Sequence, residues 1–422
     1  DSIVEIDNAM RWGFAREIGI FDSWDAIGVE KSVNKMKSEN RKVPTWVEEM
    51  LAAGRKSFYE IKNGEMTYWC PVEKKPLIYK QNKKALNLNL YKNTKNTLKR
   101  DWSASIHDIG DGVLNVEFHS IFVPAVNPLD RSMNDIMKHA LDLLETGKYK
   151  GLVVGHQGKN WCAGANVNDF KMAIDSGNLQ VMDAGVKEMQ EVTQRIRHSK
   201  YPVVTCPFNL ALGGGFEFYA CSSHTVASGE LYAGLVEAIQ GLIPGAGGHL
   251  RVLLNLLENN DAKNVNMNIG RQAIQLINPM TVSRSATDAL KKGWLRKSDT
   301  IVMNSEHLLA IGKSKVLEMS DAGYEPPKYR DDLTLPGMTL RTMAAVGAKA
   351  MKAQGKISDH DELVNSKSAY VLSGGKKGGL MSKVDEQHVL DIERECFMSL
   401  AGEPKTQARI AHFLKTGKPL RN

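Results

Sequence analysis

Cysteine is scarce and scattered. Cys70, Cys162, Cys206, Cys221 and Cys396 are the only five in 422 residues. They form no C-x-x-C pair and, being odd in number, no complete disulfide framework. That excludes a small stapled secreted fold and fits a reducing compartment, with a cytoplasmic location expected. Long apolar runs are missing too. None approaches the roughly 18–20 residues that span a bilayer, so no transmembrane segment is expected. The opening Asp1-Ser-Ile-Val-Glu5 has neither a starting Met nor a cationic and then apolar leader, and is read as a processed product or a fragment. Zinc-finger and RRM signatures are absent, and the Lys and Arg residues behind the net charge of +7 are spread. Such spreading is the pattern of a mildly basic solvated surface, and no nucleic-acid partner is expected. No G-x-G-x-x-G follows a strand anywhere, so the chain lacks a dinucleotide fingerprint. Gly374-Gly-Lys-Lys-Gly-Gly379 lacks the spacing of a P-loop.

What is present is the composition of a soluble globular protein, 42% hydrophobic and 24% charged, long enough for two or three domains. Residues 1 to about 98 read as helical, with Ile3, Ile6, Met10 and Phe14 on one face. Residues 81–103 are rich in Lys and Asn and read as an exposed linker. Beyond it, Leu114, Val116 and Phe118 alternate with Asn115, Glu117 and His119, the pattern of a half-buried strand. Met133 to Leu144 follow helical spacing behind Ser132 as N-cap. Gly151-Leu-Val-Val-Gly155 and Tyr201 to Cys206 read as strands, and Met182 to Ile196 as an amphipathic helix between them. This alternation predicts an α/β layer architecture. Residues 326–422 return to helix, with stripes at Val389, Ile392, Cys396 and Phe397 and at Ile410, Phe413 and Leu414.

The chemistry gathers at Ala211-Leu-Gly-Gly-Gly-Phe-Glu217. Gly213 to Gly215 leave backbone N–H groups uncovered, so an anionic oxygen can approach them. Glu217 follows at once, on the opening turn of a predicted buried helix. Glu237 lies twenty residues on, among the apolar residues of Gly234-Leu-Val-Glu-Ala-Ile-Gln-Gly241. Backbone donors beside two semi-buried carboxylates are the parts that stabilise an enolate while protons move. Pro244-Gly-Ala-Gly-Gly248 offers further bare N–H groups, for a phosphate or simply as a tight turn. His156 reads as a hydrogen-bonded structural residue, and no metal site is expected.

These stretches, with Trp161-Cys-Ala-Gly-Ala-Asn166 upstream, resemble the enoyl-CoA hydratase/isomerase (crotonase) superfamily in order and spacing. The resemblance implies an α/β crotonase-like fold of repeated β-β-α units at 99–325, with helical domains before and after it, at 1–98 and 326–422. It implies an oxyanion hole from the backbone N–H groups of Ala165 and Gly214. Glu217 would activate water and Glu237 would deliver the C2 proton. Pro124, Ala125, Val126, Ala163, Asn166, Val167 and Gly213 are the implied substrate contacts. Two glutamates favour a hydratase acting on trans-2-enoyl-CoA over a Δ3-Δ2 enoyl-CoA isomerase; a non-catalytic acyl-CoA-binding or assembly module is the alternative from another class. Asn166 stands where the family's usual acid does, Phe208-Asn209 where it has Asn-Gly, and the usual Lys of the early CoA loop is absent. Glu5 to Val29, with Met10-Arg-Trp-Gly13 and Gly19-Ile-Phe-Asp-Ser-Trp-Asp25, resemble the C-terminal helical domain of L-3-hydroxyacyl-CoA dehydrogenases. The tail ending Leu414-Lys-Thr-Gly-Lys-Pro-Leu-Arg-Asn422 resembles the end of bacterial-type fusions of dehydrogenase and hydratase. A bifunctional protein of fatty-acid β-oxidation is therefore expected, its NAD-binding part outside this chain. Acyl-CoA would be substrate rather than cofactor, and a thiolase or a second copy the partner.

Overall fold

The computed structural model describes residues 2–14, 16–80 and 82–422, with the side chain of Leu380 set aside. Asp1, Ala15 within the dehydrogenase-like stretch and Gln81 at the head of the Lys/Asn-rich stretch lie outside the described residues. The chain divides into two compact units, Asp1–Thr97 and Leu98–Asn422.

The first unit opens with four helices: α1 (Ile3–Phe14), α2 (Ile20–Ile27), α3 (Val29–Ser38) and α4 (Thr45–Ala52). Three strands follow, β1 (Tyr59–Lys62), β2 (Glu65–Cys70) and β3 (Lys75–Ile78), paired as an antiparallel meander. The helical reading did not include them. Their local signal is Asn63-Gly64, at φ 51° and 81°, the two-residue turn whose twist matches a hairpin. The 81–103 stretch is not all exposed: Leu86 and Leu88 are buried. The core joins Ile3, Val29, Val33, Val47, Met50 and Trp69 around Phe58. Phe21, Trp24 and Trp46 surround that ring at 5.1–5.5 Å between centroids. Two aspartates tie the segments together. Asp7 accepts the N–H groups of Phe21 and Asp22 and the Tyr59 hydroxyl, at 3.0–3.1 Å. Asp25 accepts those of Phe58 and Tyr59 at 2.7 and 2.9 Å.

The second unit runs β4 (Thr97–Arg100), β5 (Ala104–Asp108), β6 (Val113–Phe118), α5 (Arg131–Glu145), β7 (Gly151–Val154), α6 (Val167–Asp175), α7 (Leu179–Arg197), β8 (Val203–Thr205), β9 (Asn209–Leu212), α8 (Gly214–Ala220), β10 (His224–Ser228) and β11 (Leu231–Gly234). It continues with α9 (Gly248–Asn259), α10 (Met267–Ile277), α11 (Ala286–Lys292), β12 (Thr300–Val302), α12 (Leu308–Asp321), β13 (Leu333–Leu335), α13 (Met338–Ala353), α14 (Asp359–Leu372), β14 (Gly379–Val384), α15 (Glu386–Ala401) and α16 (Pro404–Thr416). Seven strands form one sheet in the order β12-β10-β8-β7-β6-β5-β4. It is parallel from β6 to β12, with the β5–β6 hairpin antiparallel. β9 and β11 form a separate parallel pair, and β13 and β14 an antiparallel one. Residues 326–422 belong to this same compact unit.

Two local readings change. β6 is buried on both faces, as expected of a strand covered on both sides. Its polar residues find partners there. The Asn115 amide donates to the Val153 and Gly155 carbonyls at 3.1 and 3.0 Å, and Glu117 meets His107 at 3.2 Å. The N-cap of α5 is Asp130, which accepts the Met133 N–H at 3.0 Å. Ser132, second residue of the helix, accepts the Ser103 N–H instead. A carboxylate is the stronger acceptor for a helix end.

Asp7 is 1% exposed and holds three donors. Asp7→Ala is expected to strand them and to lower stability by about 1–3 kcal/mol, read as a lower thermal midpoint for unfolding of the first unit.

Candidate active site

β9 ends in Gly213 and the chain turns directly into α8. Gly213 sits at φ 53°, ψ −124°, where a side chain is strained. A Cβ there would also stand 3.0 Å from Glu237 Oε1. Gly215 is fixed by packing, since a Cβ would come within 2.3 Å of the Cys162 carbonyl oxygen. The glycines thus lay the first turn of α8 on the Trp161–Asn166 segment, which bridges to Ala211 through Cys162 and to Leu129 through Ala165. The second bridge uses the Gly164 carbonyl and the Asn166 N–H, each 2.9 Å from its Leu129 partner. In extended backbone this turns the Ala165 N–H away from Leu129. A Cβ on Gly214 would lie 3.7 Å from the Ala165 nitrogen and 3.9 Å from Glu217 Oε2, so the two residues expected to form the oxyanion hole lie close together beside Glu217.

Glu217 is 3% exposed. Its Oε1 accepts the N–H groups of Ala246 and Gly248, both at 2.8 Å. The Pro244–Gly248 loop is thus a carboxylate clamp, neither a phosphate loop nor a bare turn. Glu237 reaches the site through the β9–β11 pair, whose register places Gly234 opposite Leu212. The Gly213 N–H donates to the Gly234 carbonyl at 2.8 Å. Glu237 then opens a short 3-10 turn, Glu237–Gln240. Its Oε2 is enclosed and has no hydrogen-bond partner among the described residues.

Burial pushes Glu237 up to about 8, with the Glu393 carboxylate adding to the rise. Glu217 is held well above the usual carboxylate range, first by burial and then by the charges of Glu237 and Glu393. The Ala246 and Gly248 N–H groups pull it back down. Both acids have backbone donors that favour the charged form, Ala246 and Gly248 for Glu217 and the Val236–Glu237 backbone for Glu237, and in each burial outweighs them.

The remaining residues expected to contact substrate lie on the loop before Leu129 and where the Trp161–Asn166 segment enters α6. Ile121 to Val126, containing Pro124 and Ala125, form an exposed loop. It is anchored by the Ala163 N–H on the Val126 carbonyl at 3.1 Å and by the Asn160 amide on the Ala125 carbonyl at 2.7 Å. Asn166 caps α6, accepting the Asn168 N–H at 3.2 Å, and Val167 is the first residue of that helix. His156 lies behind the site with Nε2 2.9 Å from the Trp161 carbonyl and Nδ1 accepting the Gly158 N–H.

With this geometry in hand, residues 108–299 match the family described as enoyl-CoA hydratase/isomerase. They form a crotonase-superfamily domain. A Bacillus subtilis (strain 168) protein described as a probable 3-hydroxyacyl-CoA dehydrogenase is 39% identical to the chain over 422 residues, 100% of this chain and 52% of that protein. The fatty acid oxidation complex subunit alpha of Acinetobacter baumannii (strain AYE) is 26% identical over 149 residues, 35% of this chain and 20% of its own length. The chain thus spans about half the length of the first relative and a fifth of the second. The solved carnitinyl-CoA dehydratase of Mycobacterium thermoresistibile has a TM-score of 0.54 at 15% identity, covering 75% of this chain and 91% of its own, a likeness of fold.

One acid beside the crotonase site escaped the sequence reading. Glu393 on α15 takes the other two N–H groups of the clamp loop, from Gly247 at 2.6 Å and His249 at 2.9 Å. Its signal was its place on the apolar stripe of Val389, Ile392, Cys396 and Phe397, where an acid must be paired.

The raised carboxyls have a consequence for stability. The unfolded chain releases the Glu237 proton near 4.5 and the folded chain near 8. Between those values the unfolded state alone gains charge, so stability falls as pH rises. The thermal midpoint of the wild type is expected to fall relative to Glu237→Gln from about pH 5 to about pH 8, and the difference to level off above. A constant difference across that window would refute the raised carboxyl.

Proposed function

We propose that this chain hydrates trans-2-enoyl-CoA to 3-hydroxyacyl-CoA in fatty-acid β-oxidation, as the hydratase part of a bifunctional 3-hydroxyacyl-CoA dehydrogenase. The observation that carries this reading is the pair of enclosed glutamates, Glu217 and Glu237, with Ala165 and Gly214 close beside them. The relatives support its setting. One is described as a dehydrogenase of 3-hydroxyacyl-CoA, the product of hydration, and another as a subunit of a fatty acid oxidation complex.

The chemistry follows from the residues. The Ala165 and Gly214 N–H groups would accept the thioester oxygen, each contributing ~2.7–4 kcal/mol to lowering the barrier. Glu217 takes a proton from water as its oxygen bonds to C3. The electrons of the double bond move toward the thioester, and Glu237 gives its proton to C2. Each turnover leaves the proton on Glu217, and it must return to Glu237 before the next. Isomerisation would need a single glutamate to carry a proton between two carbons. Two acids suit water addition better.

Hydration needs no cofactor beyond the CoA thioester itself. NAD, implied by the dehydrogenase relative, does not fit the described residues: the sheet of the first unit is an antiparallel meander, not a parallel nucleotide-binding layer. No step is derived through it.

Addition of crotonyl-CoA without NAD is expected to give loss of the conjugated enoyl-thioester absorbance. Glu217→Gln and Glu237→Gln should each slow it by ~10²–10⁴-fold. Because Glu237 must be protonated, the rate should fall as pH rises through about 8. Full activity in Glu217→Gln on a 3-enoyl substrate would favour isomerisation. Tight acyl-CoA binding with no turnover would favour a binding module.

A further inference from the structure

A buried chain of polar groups reaches the carboxylate pair from the C-terminal helices. Glu393 of α15 and His249 of α9 are both 0% exposed, and Ser368 of α14 is 1% exposed. Glu393 Oε2 meets His249 Nδ1 at 2.8 Å, and His249 Nε2 meets Ser368 Oγ at 3.0 Å. Ser368 in turn lines the same narrow crevice as Glu237, about 10 Å³ between Leu235, Leu242, Ile243 and Val364. The chain therefore begins at the clamp that holds Glu217 and ends at a crevice that Glu237 also lines.

The clamp itself has two faces. Of four consecutive backbone N–H groups, those of Ala246 and Gly248 go to Glu217. Those of Gly247 and His249 go to Glu393. The strip is gripped alternately by two acids, so the position of Glu393 helps to fix the donors that Glu217 accepts. Glu393 also brings a negative charge into a dry region that holds two other acids. In a low dielectric such a charge acts over several ångströms and favours the protonated form of its neighbours.

We propose that Glu393, braced by His249 and Ser368, is a positioning residue of the carboxylate pair: it sets the 246–249 strip against Glu217 and places a negative charge behind Glu237. The role rests on the hydratase reading for its place in turnover, but not for its effect on the Glu237 carboxyl. The charged and titratable groups around Glu237 are few. Glu217 comes from α8, Glu393 from α15 and His249 from α9. His360 of α14 would lie 2.9 Å through Nε2 from a Cβ on Gly241. Arg409 of α16 donates to the Ala238 carbonyl at 3.1 Å and to Asp361 at 2.8 Å. Besides Glu217 itself, Glu393 is the one among these that combines a carboxylate with a grip on the clamp loop.

The test is a ¹³C NMR titration of glutamate side-chain carboxyls in the full chain, with Glu237→Gln to assign the signal. The variants are Glu393→Gln, close to isosteric but uncharged, and Glu393→Asp, which keeps the charge on a shorter arm. Glu393→Gln should lower the Glu237 midpoint by about one unit. The alkaline limb of crotonyl-CoA hydration should move to lower pH with it, and kcat should fall ~10-fold while KM stays within about two-fold. Glu393→Asp should restore the midpoint toward wild type. A merely structural role predicts the reverse ranking, with Gln the milder change and no movement of the midpoint; that result overturns the proposal. If the midpoint shifts as expected but the wild type hydrates nothing, the hydratase reading fails and the positioning role stands.

Discussion

Four consecutive backbone N–H groups, from Ala246 to His249, divide themselves between two buried carboxylates, and the site depends on that division. A carboxylate removed from water costs several kcal/mol unless donors replace the solvent. Three acids meet in this region, and the strip supplies donors for two. Glu217 and Glu393 are each satisfied, while the enclosed Oε2 of Glu237 is not. Burial raises both Glu217 and Glu237 above the usual carboxylate range, and the negative charge of Glu393 adds to the rise in each. Gly247 makes the alternation possible, at φ 104°. Gly248 is needed at the next position, where a Cβ would fall 2.6 Å from Pro244 Cβ and 2.9 Å from Glu217 Oε1.

The opposite wall of the site follows from sheet geometry. β9 and β11 run parallel, which carries Gly213 and Glu237 to the same end of the pair. Strand-to-helix turning at Gly213 then lays the first turn of α8 on the Trp161–Asn166 segment, with Gly214 near the Ala165 nitrogen and Gly215 against the Cys162 carbonyl.

Much of this was legible in the sequence because glycine and acid are informative together. Three successive glycines followed by Glu217 state a close approach and a charge at one point, and Glu237 states a buried acid within its own octapeptide. The strands and helices of the α/β layer were legible from periodicity. Polar residues whose partners are distant in sequence were not. Asn115 and Glu117 alternate like a solvated strand face, yet bond to Val153, Gly155 and His107. The meander after Ala52 hid behind a helical reading although Asn63-Gly64 marked its first turn. The purpose of Pro244 to Gly248 could not be read at all, because the second carboxylate it holds lies 144 residues beyond His249.

That distance also bears on how the second unit is put together. α15 buries the stripe that contains Glu393 against α7 and α9. Burying an acid on an apolar helix face is unfavourable on its own, and leaving alternate N–H groups of a glycine loop without acceptors is unfavourable too. Each defect is offset by the other: Glu393 accepts the Gly247 and His249 N–H groups that Glu217 does not take, alongside the Gln190 and Thr193 side chains that donate to the Gly245 and Ala246 carbonyls. Residues 326–422 are therefore better understood as the back wall of the carboxylate site than as an appendage to it, and mutual satisfaction of buried polar groups is what joins them to the sheet in one compact unit.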